Sequence, residues 1–189
     1  MATKDQRRMT LEEFLKLPEE EPALEFEPDG TVVQKVSPQG RHSRLQKWFV
    51  RLIDDFAEPR RLAEAYPELR TVYGGAAYVP DVSVYRSERI PRDAAGEIAD
   101  VFAEPPDIAI EIVSPRQSVV ALVRRSVWYV DNGVRVALVV DPEDRSVLIF
   151  RAGQATRAAR GADAVDLGEV LPGFELTAEQ VFAALRLEN

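Results

Sequence analysis

Two runs of branched apolar residues bracket a helical segment: Asp107-Ile-Ala-Ile-Glu-Ile-Val113 and Val134–Val140. The first is dense in β-branched side chains and stops at Ser114-Pro115, which reads as a strand. Residues Gln117–Asp131 then predict a helix, and Asn132-Gly133 is a strong signal for its C-terminal end. Strand, helix, strand in this order resembles a crossover that lays two parallel strands over a sheet centre. That unit restricts the chain to a mixed α/β architecture.

The rest of the pattern agrees. Thr10-Leu-Glu-Glu13 is a capping box and predicts a short helix from Leu11 to Leu17. Residues Ala23–Glu27 and Thr31–Val36 flank Pro28-Asp29-Gly30 and read as a hairpin. From Arg41 to Ala57, the residues Leu45, Trp48, Phe49, Leu52, Ile53 and Phe56 form one stripe at helical spacing. Glu58–Pro67 reads as a short second helix. Tyr78-Val-Pro-Asp-Val-Ser-Val-Tyr85 alternates as a strand does, with Asp81, Ser83 and Tyr85 on one face. Residues 86–105 read as a long connection. Asp141–Asp144 makes a turn, Ser146–Arg151 pairs back, and 152–170 read as edge strands and loops. Thr177-Ala-Glu-Gln180 is a second capping box opening a last helix to Leu185. No repeat or linker divides the chain, so residues 1–189 are expected to form one α/β (α+β) domain with a mixed central sheet flanked by helices.

Composition removes whole classes of chemistry. There is no cysteine, hence no thiolate metal site, disulfide or cysteine nucleophile. His42 is the only histidine, so no multi-histidine metal site exists, and neither a Gly-x-Ser-x-Gly elbow nor a Gly-rich phosphate loop is present. No apolar stretch approaches the ~20 residues of a membrane span. The N-terminus lacks an apolar signal core. A soluble, cytoplasmic protein is expected. Any metal must be held mostly by oxygen, which favours magnesium, manganese or calcium. Four of the 24 basic residues are lysines, Lys4, Lys16, Lys35 and Lys47, and none follows Lys47.

Glu111 interrupts an apolar strand. A carboxylate there costs several kcal/mol to bury unless it is paired or metal-bound. Asp81 and Glu111 on neighbouring strands can share one divalent cation, with the carbonyl of Ile112 as a third ligand. Other readings stand beside this one. Pro80-Asp81 is also a common turn signal, and Glu111 can instead pair with an arginine of the following helix.

Taken together the segments resemble a known family. Pro80-Asp81 followed by Glu111-Ile-Val113 looks like the core motif of the PD-(D/E)XK nucleases. More narrowly, six segments resemble the bacterial Uma-type restriction endonuclease family. They are Leu24–Gly30, His42–Gln46, Pro80–Val84, Glu111–Pro115, Tyr129–Val134 and Val139–Pro142. The resemblance implies a restriction-endonuclease-like fold, a metal-dependent endonuclease using Mg²⁺ or Mn²⁺, DNA as partner, and a homodimer. The residues Val127, Trp128 and Val130, which read as exposed, permit a dimer.

The resemblance also implies site residues. The wider superfamily carries a lysine two positions after the glutamate, where this chain has Val113. The narrower family carries it on the following helix, four residues before a tyrosine, where this chain has Arg125 ahead of Tyr129. Spacing of four puts both on one helix face. Arginine keeps its proton and cannot act as a base, but it can orient water or stabilise charge on phosphate. A surface arginine is the other reading, with Arg124 a competing candidate. Glu25 matches a family glutamate that completes the acid cluster, or is a solvated strand residue. His42 matches a family histidine at a helix N-terminus, where anions are favoured, or is a solvated first-turn residue; Gln46 lies one turn along.

The net charge is −8. Yet Gly30–Ile53 holds no acid and contains Lys35, Arg41, Arg44, Lys47 and Arg51, and Ile112–Val130 holds none and contains Arg116, Arg124 and Arg125. Arg41, Arg44, Lys47 and Arg124 are therefore candidate contacts to the nucleic-acid backbone. The expected function is metal-dependent DNA hydrolysis. The alternative is a weak or inactive nuclease-like binding module.

Overall fold

In a computed structural model, residues 9–115 and 117–187 are described. Lys4 and Arg116 lie outside them. Helix α1 (Leu11–Phe14) starts at the Thr10 capping box. It is shorter than expected, with Pro18 ahead of it. Strands β1 (Leu24–Phe26) and β2 (Val32–Gln34) form the expected hairpin, with Thr31 N–H donating to Asp29 Oδ1 at 2.9 Å. Helix α2 (Gly40–Ala57) buries Leu45, Phe49 and Ile53.

Glu58–Pro67 is not a helix. A single 3-10 turn, Glu58–Arg60, ends at Arg61 in the left-handed region (φ +53°), and β3 (Ala63–Pro67) follows. Its burial alternates, with Ala63 and Ala65 inward. Pairing with a neighbouring strand therefore overrides the helical reading. Strands β4 (Thr71–Tyr73) and β5 (Ala76–Tyr78) form a hairpin that the sequence reading missed. It turns on Gly74-Gly75, both at positive φ (+58° and +79°), the conformation glycine adopts freely.

The alternating run Tyr78–Tyr85 is two strands, not one. β5 ends at Tyr78 and β6 (Val82–Arg86) begins in a different sheet. Pro80 has no N–H for a ladder, and the Val79 N–H donates to the Glu25 carboxylate at 3.0 Å. Asp81 thus stands just before β6, at the passage between sheets.

β7 (Ile108–Ile112), α3 (Val119–Asp131) and β8 (Val136–Asp141) form the crossover, with β7 and β8 parallel in register Ile110↔Leu138. β9 (Ser146–Phe150), β10 (Arg157–Ala159) and α4 (Ala178–Ala183) complete the chain. The larger sheet has the order β10-β9-β8-β7-β6-β3 and the smaller β2-β1-β5-β4.

Period-two alternation in β7 sorts the two faces. Ile108, Ile110 and Ile112 pack with Leu45, Phe49 and Ile53 of α2. Ala109 joins Leu122 and Tyr129 of α3 on the other face, and Glu111 points the same way. Trp128 and Val130 are not free surface. Trp128 lies against Tyr73 and Tyr78 at 5.2 and 5.0 Å between ring centroids, and Val130 is buried. Val127 is exposed. Among the described residues, no helix is long and apolar enough to cross a membrane.

Candidate active site

The passage from β5 to β6 places Asp81 at the end of β7, where three donors meet its carboxylate. Lys35 Nζ reaches Oδ1 at 2.7 Å. His42 Nε2 lies 3.0 Å from Oδ2, and the Ile112 N–H donates to the same oxygen at 2.7 Å. The backbone carbonyl of Asp81 accepts from Gln46 Nε2 at 3.0 Å and from the Glu68 N–H at 3.2 Å. Burial opposes ionisation of Asp81, but the His42 hydrogen bond and the Lys35 charge hold its carboxyl below the usual carboxylate range. Burial likewise disfavours the Lys35 ammonium, yet Asp81, Glu111 and Glu25 together raise its pKa.

Glu111 forms the second half. The Tyr129 hydroxyl donates to Glu111 Oε1 at 2.7 Å, and Arg125 Nη1 lies 3.6 Å from the same oxygen. Burial pushes the Glu111 carboxyl up to about 7, with Arg125 opposing and Asp81 adding to the rise. Arg125 is not a surface residue, since its side chain is 12% exposed. Its Nη2 pairs with Glu25 Oε2 at 2.7 Å, and its guanidinium lies 4.7 Å from the Tyr78 ring centroid. Glu25 is more deeply buried still, and its other oxygen takes the Val79 N–H. Glu25, Lys35, His42, Asp81, Glu111 and Arg125, far apart in the chain, thus form one buried cluster. Three carboxylates face two permanent cations and one histidine.

The family model Uma2, described as "Putative restriction endonuclease", matches residues 11–179. The chain belongs to the Uma2 family. The crystal structure of "a putative nuclease belonging to DUF820" from Anabaena variabilis is 37% identical, with a TM-score of 0.90. The match covers 94% of this chain and 99% of that one. A chain of the DrdV–DNA complex is 14% identical at a TM-score of 0.39, covering 63% of this chain and 10% of that one. A likeness that weak carries no argument. No curated protein matches.

Within this Uma2 fold the candidate basic residues disperse. Arg41, Arg44, Lys47 and Arg124 are all exposed. Arg41 and His42 line a cleft of about 470 Å³ with Ser114, Asp141 and Glu143. Arg44 is engaged elsewhere, its Nε donating to the Ala184 carbonyl at 2.9 Å. His42 is no solvated residue. It is buried, and its Nδ1 has no hydrogen-bond partner among the described residues.

Sequence reasoning missed Lys35. Its side chain is 10% exposed, and Nζ also donates to the Val79 carbonyl at 2.7 Å. The available signal is its place beside the Glu25 strand in an acid-free window, whereas the family resemblance puts its lysine downstream of Glu111. Glu68, with its backbone at φ +49°, was also unread. Asp81 and Glu111 are buried, and neither lines the clefts on either side of them. The 470 Å³ cleft opens on His42, and a second of about 220 Å³, lined by Ala23, Lys35, Ser37 and Glu68, opens on Lys35.

The donor set suits a hard divalent ion. A carboxylate offers about four lone-pair sites, and three donors leave Asp81 about one, so Glu111 is the more open of the two. Among the described residues no three acid or histidine side chains form a metal cage. Mg²⁺ characteristically takes one or two carboxylates and keeps several waters, so two acids are a fitting complement.

Proposed function

We propose that this protein hydrolyses phosphodiester bonds in DNA with the help of Mg²⁺ or Mn²⁺. The observation that carries the reading is the convergence of Asp81 and Glu111 at the end of β7 in a chain of the Uma2 family. Asp81, Glu111 and the carbonyl of Ile112 would hold the ion. When bound, such an ion supplies Lewis-acid charge to the phosphate and a more acidic water. In the reaction the oxygen of water bonds to phosphorus, one P–O ester bond breaks, and the leaving oxygen takes a proton.

The chain's own residues hold the carboxylates in place. His42 and the Ile112 N–H fix Oδ2 of Asp81. Tyr129 fixes Oε1 of Glu111. Arg125 balances Glu25 and Glu111 rather than reaching outward. Arg41, Lys47 and Arg124 remain exposed for backbone phosphates. A homodimer belongs to this reading, with Val120 and Val127 as exposed apolar residues of α3 to serve it.

The test is nicking of supercoiled plasmid with Mg²⁺ or Mn²⁺ against a chelator control. Loss of cleavage in Asp81→Ala and in Glu111→Ala is expected; activity that survives both together sinks the assignment. One observation favours a second reading, a binding module without turnover: Lys35 and Arg125 already neutralise the buried acids. Calorimetric titration with Mn²⁺ separates the two. Heat that vanishes in Asp81→Ala supports the enzyme, and no heat in the wild type supports the module.

A further inference from the structure

Arg125 holds the position at which the family resemblance calls for a lysine, but it has no freedom to meet a substrate. Both terminal nitrogens face buried carboxylates, and one face of the guanidinium lies over Tyr78. Lys35 differs on each count. Its ammonium has three N–H groups. One goes to Asp81 and one to the Val79 carbonyl, and among the described residues no acceptor lies within hydrogen-bond distance of the third. The nearest further anion is Glu68 Oε1 at 4.0 Å, on a half-exposed side chain that shares the 220 Å³ cleft with Lys35. The ammonium therefore touches the acid cluster, while the Lys35 side chain lines the cleft it shares with Ser37 and Glu68.

We propose that Lys35, in place of Arg125, is the cation that meets the phosphate of bound DNA, through its third N–H and its charge in the cleft beside Ser37 and Glu68. This rests on the nuclease reading for its chemistry, though not for the contact itself. A phosphate oxygen there takes the position now approached by Glu68, which is exposed enough to withdraw. Directed at the scissile group, an ammonium already desolvated by its surroundings stabilises developing charge more than one in water does. Asp81 keeps its His42 and Ile112 donors without Lys35, so a substitution leaves the fold a path to survive.

The experiment measures DNA affinity with a chelator present, across salt concentrations, for wild type, Lys35→Gln, Lys35→Arg and Arg125→Gln. Each protein's thermal midpoint and folded fraction are recorded alongside. Loss of one phosphate contact lowers the slope of log affinity against log salt by about one. That loss is expected for Lys35→Gln, with the slope kept in Lys35→Arg and Arg125→Gln. Turnover at saturating DNA with Mg²⁺ falls about a hundredfold in Lys35→Gln, per folded molecule, as for removal of one transition-state donor. An unchanged slope in Lys35→Gln, or a lowered slope in Arg125→Gln alone, overturns the proposal. So does turnover within threefold of wild type, or failure of both Lys35 variants to fold. If the slope falls as expected but the wild type never cleaves DNA, the nuclease reading fails and the Lys35 contact stands. If the wild type binds no DNA, both fail.

Discussion

Nη2 of Arg125 lies 2.7 Å from Oε2 of Glu25, and this ion pair ties the helix covering the large sheet to the first strand of the small one. Nη1 of the same guanidinium faces Glu111. One side chain thus compensates two buried carboxylates from two sheets. Removing it leaves both without their nearest positive charge.

Arg125→Ala is therefore expected to lower unfolding stability by about 3–5 kcal/mol, the usual cost of stranding a buried charge. Arg125→Lys recovers only part, because an ammonium is a point charge and cannot present two nitrogens to two acids. Urea denaturation measures both. A loss below about 1 kcal/mol in Arg125→Ala, the worth of an exposed pair, shows that the pair is not a clamp.

Glu111 makes stability depend on pH. Its carboxyl rises from an ordinary 4.5 to about 7 in the folded protein, chiefly through burial. The folded state then holds a proton that the unfolded chain releases, so stability present below pH 4.5 is lost as pH climbs through 7. With a chelator present, Glu111→Gln lacks this dependence. The wild type is expected to lose stability relative to that variant between pH 5 and pH 8, on the order of 3 kcal/mol. Thermal midpoints of the two proteins across that range decide it. Parallel curves show that Glu111 titrates normally.

The crossover was legible because its signals are local: branched residues at both strands, a helix between, and Asn132-Gly133 at its end. Asp81 and Glu111 were legible as acids among apolar neighbours. The passage between sheets was not, because Tyr78–Tyr85 keeps its alternation straight through Pro80, and the Glu25 carboxylate that takes the Val79 N–H comes from a distant strand. Lys35 was hidden for a related reason. It lies 46 positions from Asp81, and no periodicity within a strand or helix links residues so far apart. For Arg125 the sequence left a site arginine and a surface arginine both open, since its burial depends on Glu25 and Tyr78 arriving from the other sheet.

Away from the site, Asp107 anchors the start of β7. Arg89 Nη1 meets its Oδ1 at 2.8 Å, Arg135 Nε meets the same oxygen at 3.2 Å, and the Arg86 N–H donates to Oδ2 at 2.9 Å. Asp107 is fully buried, whereas the arginines reach solvent. Asp107→Ala is expected to cost about 3 kcal/mol, mostly in lost charge-assisted hydrogen bonds. Since the network lies apart from Asp81, Mn²⁺ binding by the folded fraction should be unchanged, and calorimetry beside denaturation tests that separation. Loss of metal binding in folded Asp107→Ala protein joins the two networks.

Glu68 offers the simplest probe of where DNA lies. Its carboxylate stands 4.0 Å from the Lys35 ammonium and borders the same cleft. A phosphate approaching Lys35 must meet that negative charge. Glu68→Gln removes the repulsion while keeping the side chain's size and its left-handed backbone, so the peptide N–H to Asp81 is retained. DNA affinity with a chelator present should rise about threefold at low salt, since an exposed charge is worth under 1 kcal/mol. Added salt screens the carboxylate, so the gain should shrink as ionic strength rises. If Glu68→Gln leaves affinity unchanged while Arg41→Gln weakens it, the phosphate path runs instead through the cleft that opens on His42.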